Sequence, residues 1–358
     1  MRLVRSVRLK KFLKRTIFTD LVSDVFDGKH PFDIDDYPPG ALRCFGDANP
    51  DKVFYVIWRD SLGSGFFSNF TQVLSHILHA EGLKMTPVVD FENFRTLYNI
   101  DEPVGGARNA WEYYFAPVSP YSLSEVYRSK NVLFCSGSRP DRLPFADNAG
   151  YREFVGRHIR LQPWVGERID RWSGEFSAHR VLGIHFRGKE INTAAGHAFG
   201  PTVEQVIRHA DELLDRFDLE RIFLVTEEAA FVEPLRRRYG QRLFMTDAFR
   251  AAKVNSYNLN PRPRHRYLLG LEVLADALLL ARSKVILCSP TGVAMHAVRM
   301  AEDLDFVRVI DNGVNCRNPL LARYAYTVRR ILPECFGGLR DAAVDFDREQ
   351  LEKEYFDA

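Results

Sequence analysis

Short apolar runs alternate with longer stretches of helical character along most of this sequence. The runs at 53–58, 132–135 and 181–186 are apolar almost throughout and are bounded by turn or charged residues, which is typical of strands buried on both faces. Helical patterns lie between such runs, as at 69–81 and 202–217. This alternation indicates parallel sheets joined by crossover helices. We therefore predict an α/β fold of two doubly wound, Rossmann-like domains that face a cleft.

The predicted strands form two series, which are separated by a charged region with helical character at 151–172. The first series also contains 87–90, and the second continues through 221–226, 243–245, 285–288 and 306–310. We place the boundary between two domains in the charged region. The predicted organisation is a basic segment at 1–20, an N-terminal domain at 21–172, a C-terminal domain at 173–330 and a tail at 331–358.

The composition argues against several classes of protein. Apolar residues make up 46% of the 358-residue chain, enough for two buried cores, and the formal net charge is only +2. Because no concentrated basic groove with interleaved aromatics is visible, we expect no nucleic-acid partner. The scattered cysteines contain no C-x-x-C pair, which predicts neither a metal site nor a disulfide framework. We expect free thiols in a reducing, cytoplasmic compartment; the cysteines are Cys44, Cys135, Cys288, Cys316 and Cys335.

The first eighteen residues are basic and apolar in alternation, and the first acid of the chain is Asp20. The segment 1–18 has no uninterrupted apolar core, so we expect neither a signal peptide nor a membrane span there. Two interpretations stay open. The segment is either a solvated basic terminus or a peripheral contact with the inner membrane surface, where each cation near anionic lipid contributes ~1 kcal/mol.

His185, Phe186 and Arg187 stand at the end of the strand predicted at 181–186. Ligands of open α/β sheets bind beyond the carboxyl ends of the strands. Arg187 can form a bidentate, charge-assisted pair with a phosphate, and His185 can hydrogen-bond a nucleotide. The alternative is a buried core histidine beside a surface arginine.

Carboxylates follow a second strand and also interrupt an apolar helix. Glu227 and Glu228 end the strand at 221–226, where they can bind sugar hydroxyls or simply begin a helix. Glu272 and Asp276 lie at i, i+4 on a largely apolar helix, where like charges repel and need hydrogen-bond donors. Guanine offers such donors, which makes Asp276 a candidate for base recognition. The alternative is a salt bridge to one of the arginines at 262, 264, 266 and 282.

Two loops have the composition of anion sites. Ser289, Thr291 and Gly292 follow a strand and begin a helix, where hydroxyls and backbone N–H groups suit a diphosphate. An ordinary helix cap has the same sequence. Gly63 and Gly65 follow the first strand and form either a loop that lines a phosphate or sugar, or a bare turn. Their spacing is neither that of a P-loop nor the full dinucleotide pattern.

The order of these motifs resembles that of the fucosyltransferase-like GT-B superfamily. The similarity is to the α1,6-fucosyltransferases, namely the rhizobial nodulation and animal core enzymes, which are relatives of the protein O-fucosyltransferases. Those enzymes have His-x-Arg-Arg, then Ala-Thr-Asp-Asp, a buried helix with an acid, and Cys-Thr-x-Ser-Ser. Here the places are taken by 185–187, 225–228, Asp276 and 288–291. The match extends over about residues 170–300.

The resemblance implies an inverting, metal-independent glycosyltransferase without a cofactor. Its donor substrate would be a GDP-sugar, with GDP-fucose favoured, and its acceptor a glycan such as a bacterial surface polysaccharide or lipid-linked oligosaccharide. The C-terminal domain would bind the donor and the N-terminal domain the acceptor. His185 and Asp276 would hold guanine and Arg187 the β-phosphate, while the diphosphate is lined by Ser289, Thr291 and Gly292.

The sequence departs from the family at two places. Gly188 stands where the family has a second arginine, so Lys189 or the arginines at 262–266 are candidates to replace that phosphate contact. The family's catalytic glutamate has no clear match, and Glu190 and His197 are our candidates for the base, with Glu190 preferred. Two alternatives stay open: a catalytically silent relative that binds a nucleotide sugar or glycan, and a transferase for a different activated sugar.

Overall fold

The computed structural model describes residues 40–356, except for 60–62, 136–142, 144, 189–191, 253–255, 341 and 355. The predictions for the basic segment, including membrane contact through 1–18, lie outside the described residues. So do Lys189 and Glu190, the latter being one of the two candidates for the catalytic base.

The first sheet has four strands in the order β1-β4-β2-β3. Strand β2 is parallel to β3 and β4, and β1 adds an antiparallel edge to β4. The three predicted strands of this half are confirmed to within one residue at each end. In β2 every residue is buried, so the apolar run in the sequence matches the strand. The bounds are β1 Ala41–Arg43, β2 Phe54–Ile57, β3 Thr86–Val89 and β4 Val132–Cys135, with helices α1 Phe66–Gly82 and α2 Leu123–Val126.

The charged region predicted between the two series consists of two helices, α3 (Asn148–His158) and α4 (Pro163–Ala178). The side chain of Asp147 caps α3, since it accepts a hydrogen bond from the Gly150 N–H at 2.8 Å. Pro163 begins α4, a position where its missing N–H has no helical partner to lose.

The second sheet has six strands in the order β10-β9-β8-β5-β6-β7. Strands β5 to β9 are parallel, and β10 adds an antiparallel edge drawn from the predicted tail. The domain boundaries themselves stay predictions. The strand bounds are β5 Val181–His185, β6 Arg221–Val225, β7 Leu243–Phe244, β8 Val285–Cys288, β9 Phe306–Asp311 and β10 Ala342–Asp347.

Six helices accompany this sheet in the described part of the chain. A complete capping box begins the helix after β5, with Thr202 and Gln205 satisfying each other's backbone N–H groups. The helices are α5 Val203–Arg216, α6 Val232–Tyr239, α7 His265–Leu280, α8 Gly292–Met300, α9 Pro319–Ile331 and α10 Arg348–Lys353. None of the helices within the described residues is long and apolar enough to cross a membrane.

Helix α7 is buried against both halves of the molecule. It packs on strands β5 and β6 of its own sheet and on α1 of the N-terminal half. The phenol of Tyr114 donates a hydrogen bond to the Tyr267 carbonyl at 3.0 Å, so the stretch at 111–115 meets α7 directly. Apart from half-buried Glu112, its side chains are buried. The stretch is therefore a buried aromatic cluster.

The end of the chain ties the outer elements together. Arg308 on β9 makes two 2.7 Å hydrogen bonds to the carboxylate of Asp345 on β10. Beyond α10, the Phe356 carbonyl accepts from Arg299 Nε at 2.8 Å, and the Phe356 N–H donates to Asn148 at 3.1 Å. The last described residues therefore join α8 to the first turn of α3.

The contact of α7 with the aromatic cluster requires Gly270. A Cβ there would clash with the phenol oxygen of Tyr114 and lie 2.9 Å from Tyr98 Cδ1. We expect Gly270→Ala to lower the free energy of unfolding by about 1–3 kcal/mol, because overpacking outweighs the gain in helix propensity. Urea denaturation measures this. The matched control is Gly166→Ala in α4, where a Cβ meets nothing within 4 Å and should stabilise by about 0.5–1 kcal/mol. Equal stabilisation by both substitutions would show that the α7 contact is not tight.

Candidate functional site

The strand order of the second sheet identifies one edge as a natural binding position. From β5 the chain adds β6 and β7 on one side of the sheet and then returns to add β8 and β9 on the other. The loops that follow β5 and β8 therefore diverge, which leaves a crevice at the carboxyl ends of these two strands. His185 is the last residue of β5, and Ser289 follows β8 directly.

The structure brings the two strand ends into contact through side chains. Thr291 Oγ1 lies 3.2 Å from His185 Nδ1, and it also caps α8 by accepting from the Ala294 N–H. His185 is buried, and burial together with the nearby positive charge of Arg187 lowers its pKa to about 3. The imidazole is therefore neutral at physiological pH, with one donor and one acceptor nitrogen.

Ser289 and the start of α8 form a position suited to an anion. The Ser289 hydroxyl is buried, and no hydrogen-bond partner is found for it within the described residues. A buried hydroxyl without a partner is costly, so a ligand group or an ordered water would complete its hydrogen bonding. Gly292 is exposed in the first turn of α8, where backbone N–H groups have no helical acceptor and carry partial positive charge.

The glycine turn of the N-terminal half lies beside the same helix end. Gly65 precedes α1, and Gly63 is in the turn before it. A Cβ on Gly292 would lie 3.1 Å from Phe67 Cβ, and the Phe67 ring stacks on His296 of α8 with centroids 4.6 Å apart. The N-terminal ends of α1 and α8, one from each half, therefore meet at this edge of the second sheet.

Arg59 secures that turn, although sequence reasoning did not single it out. It follows β2, and its Nε donates to Ser64 Oγ at 3.0 Å while Nη2 donates to Ser68 Oγ at 3.1 Å. Nη1 also donates to the side chain of Gln72 on α1. Its position in the sequence could have identified it. An arginine directly after a buried strand and before a glycine turn stands at the carboxyl edge of a sheet.

Arg187 and Glu227 lie side by side at the ends of the adjacent strands β5 and β6. The Arg187 Nε and Glu227 Oε1 atoms are 3.4 Å apart, and the same oxygen accepts from the Gly188 N–H at 3.1 Å. A Cβ at Gly188 would lie 2.6 Å from Glu227 Oε1 and 2.9 Å from Glu228 Oε1. A larger residue at 188 would require both carboxylate groups, the ends of flexible side chains, to move.

Asp276 lies on the inner face of α7 and is buried. Its Oδ1 accepts a hydrogen bond from Thr246 Oγ1 at 2.6 Å. Burial raises the pKa of Asp276 to about 6, since it outweighs that hydrogen bond and the positive charges of Arg250 and Arg168. Asp276 is thus a carboxyl group whose ionised form lacks sufficient donors in the ligand-free protein.

The neighbouring carboxylate on the same helix is fully engaged. Arg262 donates to both oxygens of Glu272 at 2.7 Å, and the Phe249 N–H donates to Oε2 at 3.1 Å. The predicted alternative of a salt bridge to the arginine cluster therefore holds for Glu272. Because Arg262 is used in this way, it is a poor substitute for the arginine that Gly188 replaces.

Arg250 is a second arginine that sequence reasoning missed. Its Nη1 donates to the carbonyls of Thr246 and Ala248 at 3.1 and 2.8 Å. Its Nε and Nη2 atoms are buried, and the described residues offer them no hydrogen-bond partner. Burial lowers the pKa of Arg250, while the nearby Asp276 raises it. No sequence pattern marked this residue, since it stands alone in a loop after the short strand β7.

His197 lies in a loop away from these contacts. Its side chain is exposed, and its carbonyl accepts from the Asn315 N–H at 2.8 Å. The described part of the chain shows no contact between His197 and either His185 or Arg187. With Glu190 outside the described residues, the identity of a catalytic base stays a prediction.

Comparison with solved structures identifies the fold. No family model matches the sequence. The selenomethionine structure of the fucosyltransferase NodZ from Bradyrhizobium is similar over 83% of this chain and 99% of that chain, with a TM-score of 0.52 and 15% identity. NodZ α-1,6-fucosyltransferase co-crystallised with GDP is similar over the same shares, with a TM-score of 0.51 and 15% identity.

This chain has the fold of NodZ. At such low identity the likeness concerns the fold, and it confirms at that level the resemblance to fucosyltransferase-like proteins. The structure itself confirms a mixed α/β architecture with two mainly parallel sheets. A plant protein, Arabidopsis thaliana FUT1 in complex with GDP, was also found at 11% identity, over 74% of this chain and 72% of that chain, with a TM-score of 0.42.

We expect Asp276→Asn to stabilise the ligand-free protein at neutral pH. Because the folded-state pKa of about 6 exceeds the usual 3.8, the folded state binds this proton more tightly than the unfolded state. Below pH ~4 both states are protonated, and the cost of ionising the buried group develops as pH rises to ~6. The amide oxygen still accepts from Thr246. Urea denaturation should show a gain of about 2–3 kcal/mol at pH ~7.5 and almost none at pH ~4. Equal gains in the free energy of unfolding at both pH values would contradict a raised pKa for Asp276.

Proposed function

We propose that this protein is an inverting glycosyltransferase that moves fucose from GDP-fucose to a glycan acceptor. A bacterial surface polysaccharide or a lipid-linked oligosaccharide is the favoured acceptor. The observation that carries the proposal is the cluster at the β5/β8 switch point, where buried His185, the start of α8 and Ser289, whose hydroxyl has no partner among the described residues, converge. The fold shared with NodZ, a fucosyltransferase that was co-crystallised with GDP, supports the same conclusion.

In this proposal the donor diphosphate lies at the N-terminal end of α8. Ser289, Thr291 and Gly292 line it, and the diphosphate gives the Ser289 hydroxyl a partner that the described residues do not supply. Arg187 binds the β-phosphate, to which its guanidinium can donate two parallel hydrogen bonds. Glu227 would position the loop that carries Arg187, since its carboxylate bridges Arg187 and the Gly188 N–H.

The guanine base is assigned to Asp276 and His185. An ionised Asp276 accepts from guanine N1–H and from the exocyclic amine, which supplies the donors that the buried carboxylate needs. Thr246 donates one hydrogen bond to Oδ1, and because each carboxylate oxygen can accept two, both oxygens keep capacity toward the base. Neutral His185 can donate or accept one further hydrogen bond to the nucleotide.

The acceptor is assigned to the N-terminal half, across a cleft between the two halves. The turn with Gly63 and Gly65 would face the donor from that side, because it lies beside the start of α8. The proposed arrangement of two Rossmann-like domains, 21–172 for the acceptor and 173–330 for the donor, places the reacting groups between them.

The proposed reaction is a single displacement. The acceptor hydroxyl oxygen bonds to the anomeric carbon from the face opposite the diphosphate, while the bond from that carbon to the β-phosphate oxygen breaks. The electron pair leaves with GDP, and the hydroxyl proton passes to a base, for which Glu190 and His197 are the candidates. Arg187 and the N–H groups of α8 stabilise the charge that develops on the diphosphate, a task that a metal ion performs in other transferases.

We expect GDP to bind this protein more tightly than UDP, CDP or NAD, and we expect Asp276→Asn to remove that preference. Calorimetric titration without added metal measures both. The variant should bind GDP about tenfold more weakly and UDP unchanged, because only guanine pairs with the carboxylate. In the wild type, GDP affinity should fall as pH drops below about 6, since Asp276 then takes up a proton.

The matched control for this titration is Asp170→Asn, an exposed carboxylate on α4. An equal loss for all nucleotides in Asp276→Asn would make that residue structural. Tight binding of another nucleotide by the wild type would retain the fold and indicate a different activated sugar.

We expect Arg187→Ala to lower the rate of GDP-fucose turnover by a factor of roughly 10²–10³. This factor corresponds to ~2.7–4 kcal/mol of lost transition-state stabilisation. The control is Arg237→Ala, whose side chain is 79% exposed and pairs with Glu233 within its own helix. The measurement is kcat for GDP release with and without a glycan acceptor. Near-wild-type activity in the variant would remove Arg187 from the site. Donor binding without any turnover in the wild type would instead support the catalytically silent alternative.

A further inference from the structure

Helix α9 exposes a continuous apolar stripe. Five large side chains project from it into solvent, with exposures between 53% and 78%: Leu320, Leu321, Tyr324, Val328 and Ile331. With 3.6 residues per turn, these positions fall within about 100° of the helix circumference. The stripe is therefore one face of an amphipathic helix, and this face points away from the protein.

The opposite face of α9 contacts the protein at a few side chains. Ala322 is buried, and its carbonyl accepts from Asn315 Nδ2 at 3.0 Å. The ring of Tyr326 lies 5.8 Å from that of Phe199 in the loop below. The outward orientation of the stripe is thus set by packing. The apolar surface also extends past the helix end to Phe336, which is 74% exposed.

The segment of the chain that carries the stripe is basic, although Glu204 of α5 lies near Arg330 and Asp311 lies near Arg340. The segment 312–340 contains a single acid, Glu334, and five arginines: Arg317, Arg323, Arg329, Arg330 and Arg340. Arg329 stacks over the Phe199 ring at 5.3 Å, and Arg340 lies 3.6 Å from Asp311. The side chains of Arg317, Arg323 and Arg330 are exposed. The apolar stripe is therefore flanked by cations, although the chain as a whole is nearly neutral.

We propose that α9 binds the surface of an anionic lipid membrane. The stripe would enter the boundary between headgroups and acyl chains, with the helix axis parallel to the membrane plane. The arginines would extend along the surface to lipid phosphates while their stems stay near the apolar layer. Tyr324 and Phe336 suit this interface, where an aromatic ring finds both apolar and polar surroundings.

A second copy of the chain fits this surface less well. In a twofold dimer through α9, the arginines of one copy would face those of the other, with Glu334 as the only acid of the segment to offset them. A protruding single helix also offers a ridge, whereas a stable dimer buries a broad area on each partner. The cationic flanks complement a surface of lipid phosphates. The inference is independent of the proposed reaction and of the segment 1–18.

The test uses the full chain and sedimentation with vesicles. The wild type should sediment with phosphatidylcholine vesicles that contain phosphatidylglycerol, and should stay in solution with phosphatidylcholine alone. Leu321→Glu/Ile331→Glu should weaken vesicle binding by roughly a hundredfold, because two large apolar side chains no longer enter the interface. The matched control is Leu42→Glu on β1, where Leu42 is 59% exposed, and it should bind as the wild type does.

The possible outcomes distinguish a membrane from a second copy of the chain as the partner of α9. All three proteins should have the same urea midpoint, which shows that they are folded. Vesicle binding by the double variant that equals the wild type would overturn the proposal, as would a wild type that ignores anionic vesicles. A wild-type dimer in lipid-free solution that the double variant converts to monomer would assign α9 to a second copy instead.

Discussion

The burial of helix α7 between the second sheet and the N-terminal half is the constraint on which the remaining structure depends. The helix is apolar on almost every face, and Gly270 allows the Tyr114 phenol to reach the Tyr267 carbonyl at 3.0 Å. A carboxylate on such a helix is removed from water and must find donors, or its ionised form becomes costly. The two acids of α7 meet this requirement in different ways.

Glu272 and Asp276 are one helical turn apart and differ in what surrounds them. Glu272 receives both hydrogen bonds of a bidentate arginine and a backbone N–H, so its charge is compensated within the protein. Asp276 receives one hydroxyl hydrogen bond, and its pKa rises to about 6. A perturbed carboxyl without sufficient donors is more informative about ligand binding than a compensated one. This difference decides which acid belongs to the candidate site.

The sequence predicted those parts whose physical cause is local. Strands β2, β3 and β4 were placed to within one residue, because β2 is buried throughout, β4 almost throughout and β3 at its carboxyl end, and buried strand residues are apolar. The edge strand β10 was missed, since it is mostly exposed and carries no apolar run. Helix α9 was missed as well, because its apolar face is exposed among the described residues and therefore does not belong to the core pattern.

The candidate site was predictable to the same extent. His185, Ser289 and Thr291 were found because strand ends of a parallel sheet can be read from the chain. The meeting of α1 with α8 was not predictable, since it depends on how the two halves pack. Arg59 and Arg250 stand in loops, and only tertiary contacts show that one holds the glycine turn while the other lies beside Asp276.

Two titratable residues of the candidate site carry less charge than their residue types suggest. His185 is neutral, because its pKa is near 3, and Asp276 ionises only as pH passes about 6. Beside the proposed diphosphate position, positive charge comes from Arg187 and the start of α8, and Glu227 at 3.4 Å partly offsets Arg187. Arg250 and Arg168 add positive charge near Asp276. A nucleotide diphosphate would bring the opposite distribution, with negative charge at the arginine and N–H donors at the buried carboxyl. Such complementarity of both charge and hydrogen bonding is the physical basis for assigning a guanine nucleotide to this edge of the sheet.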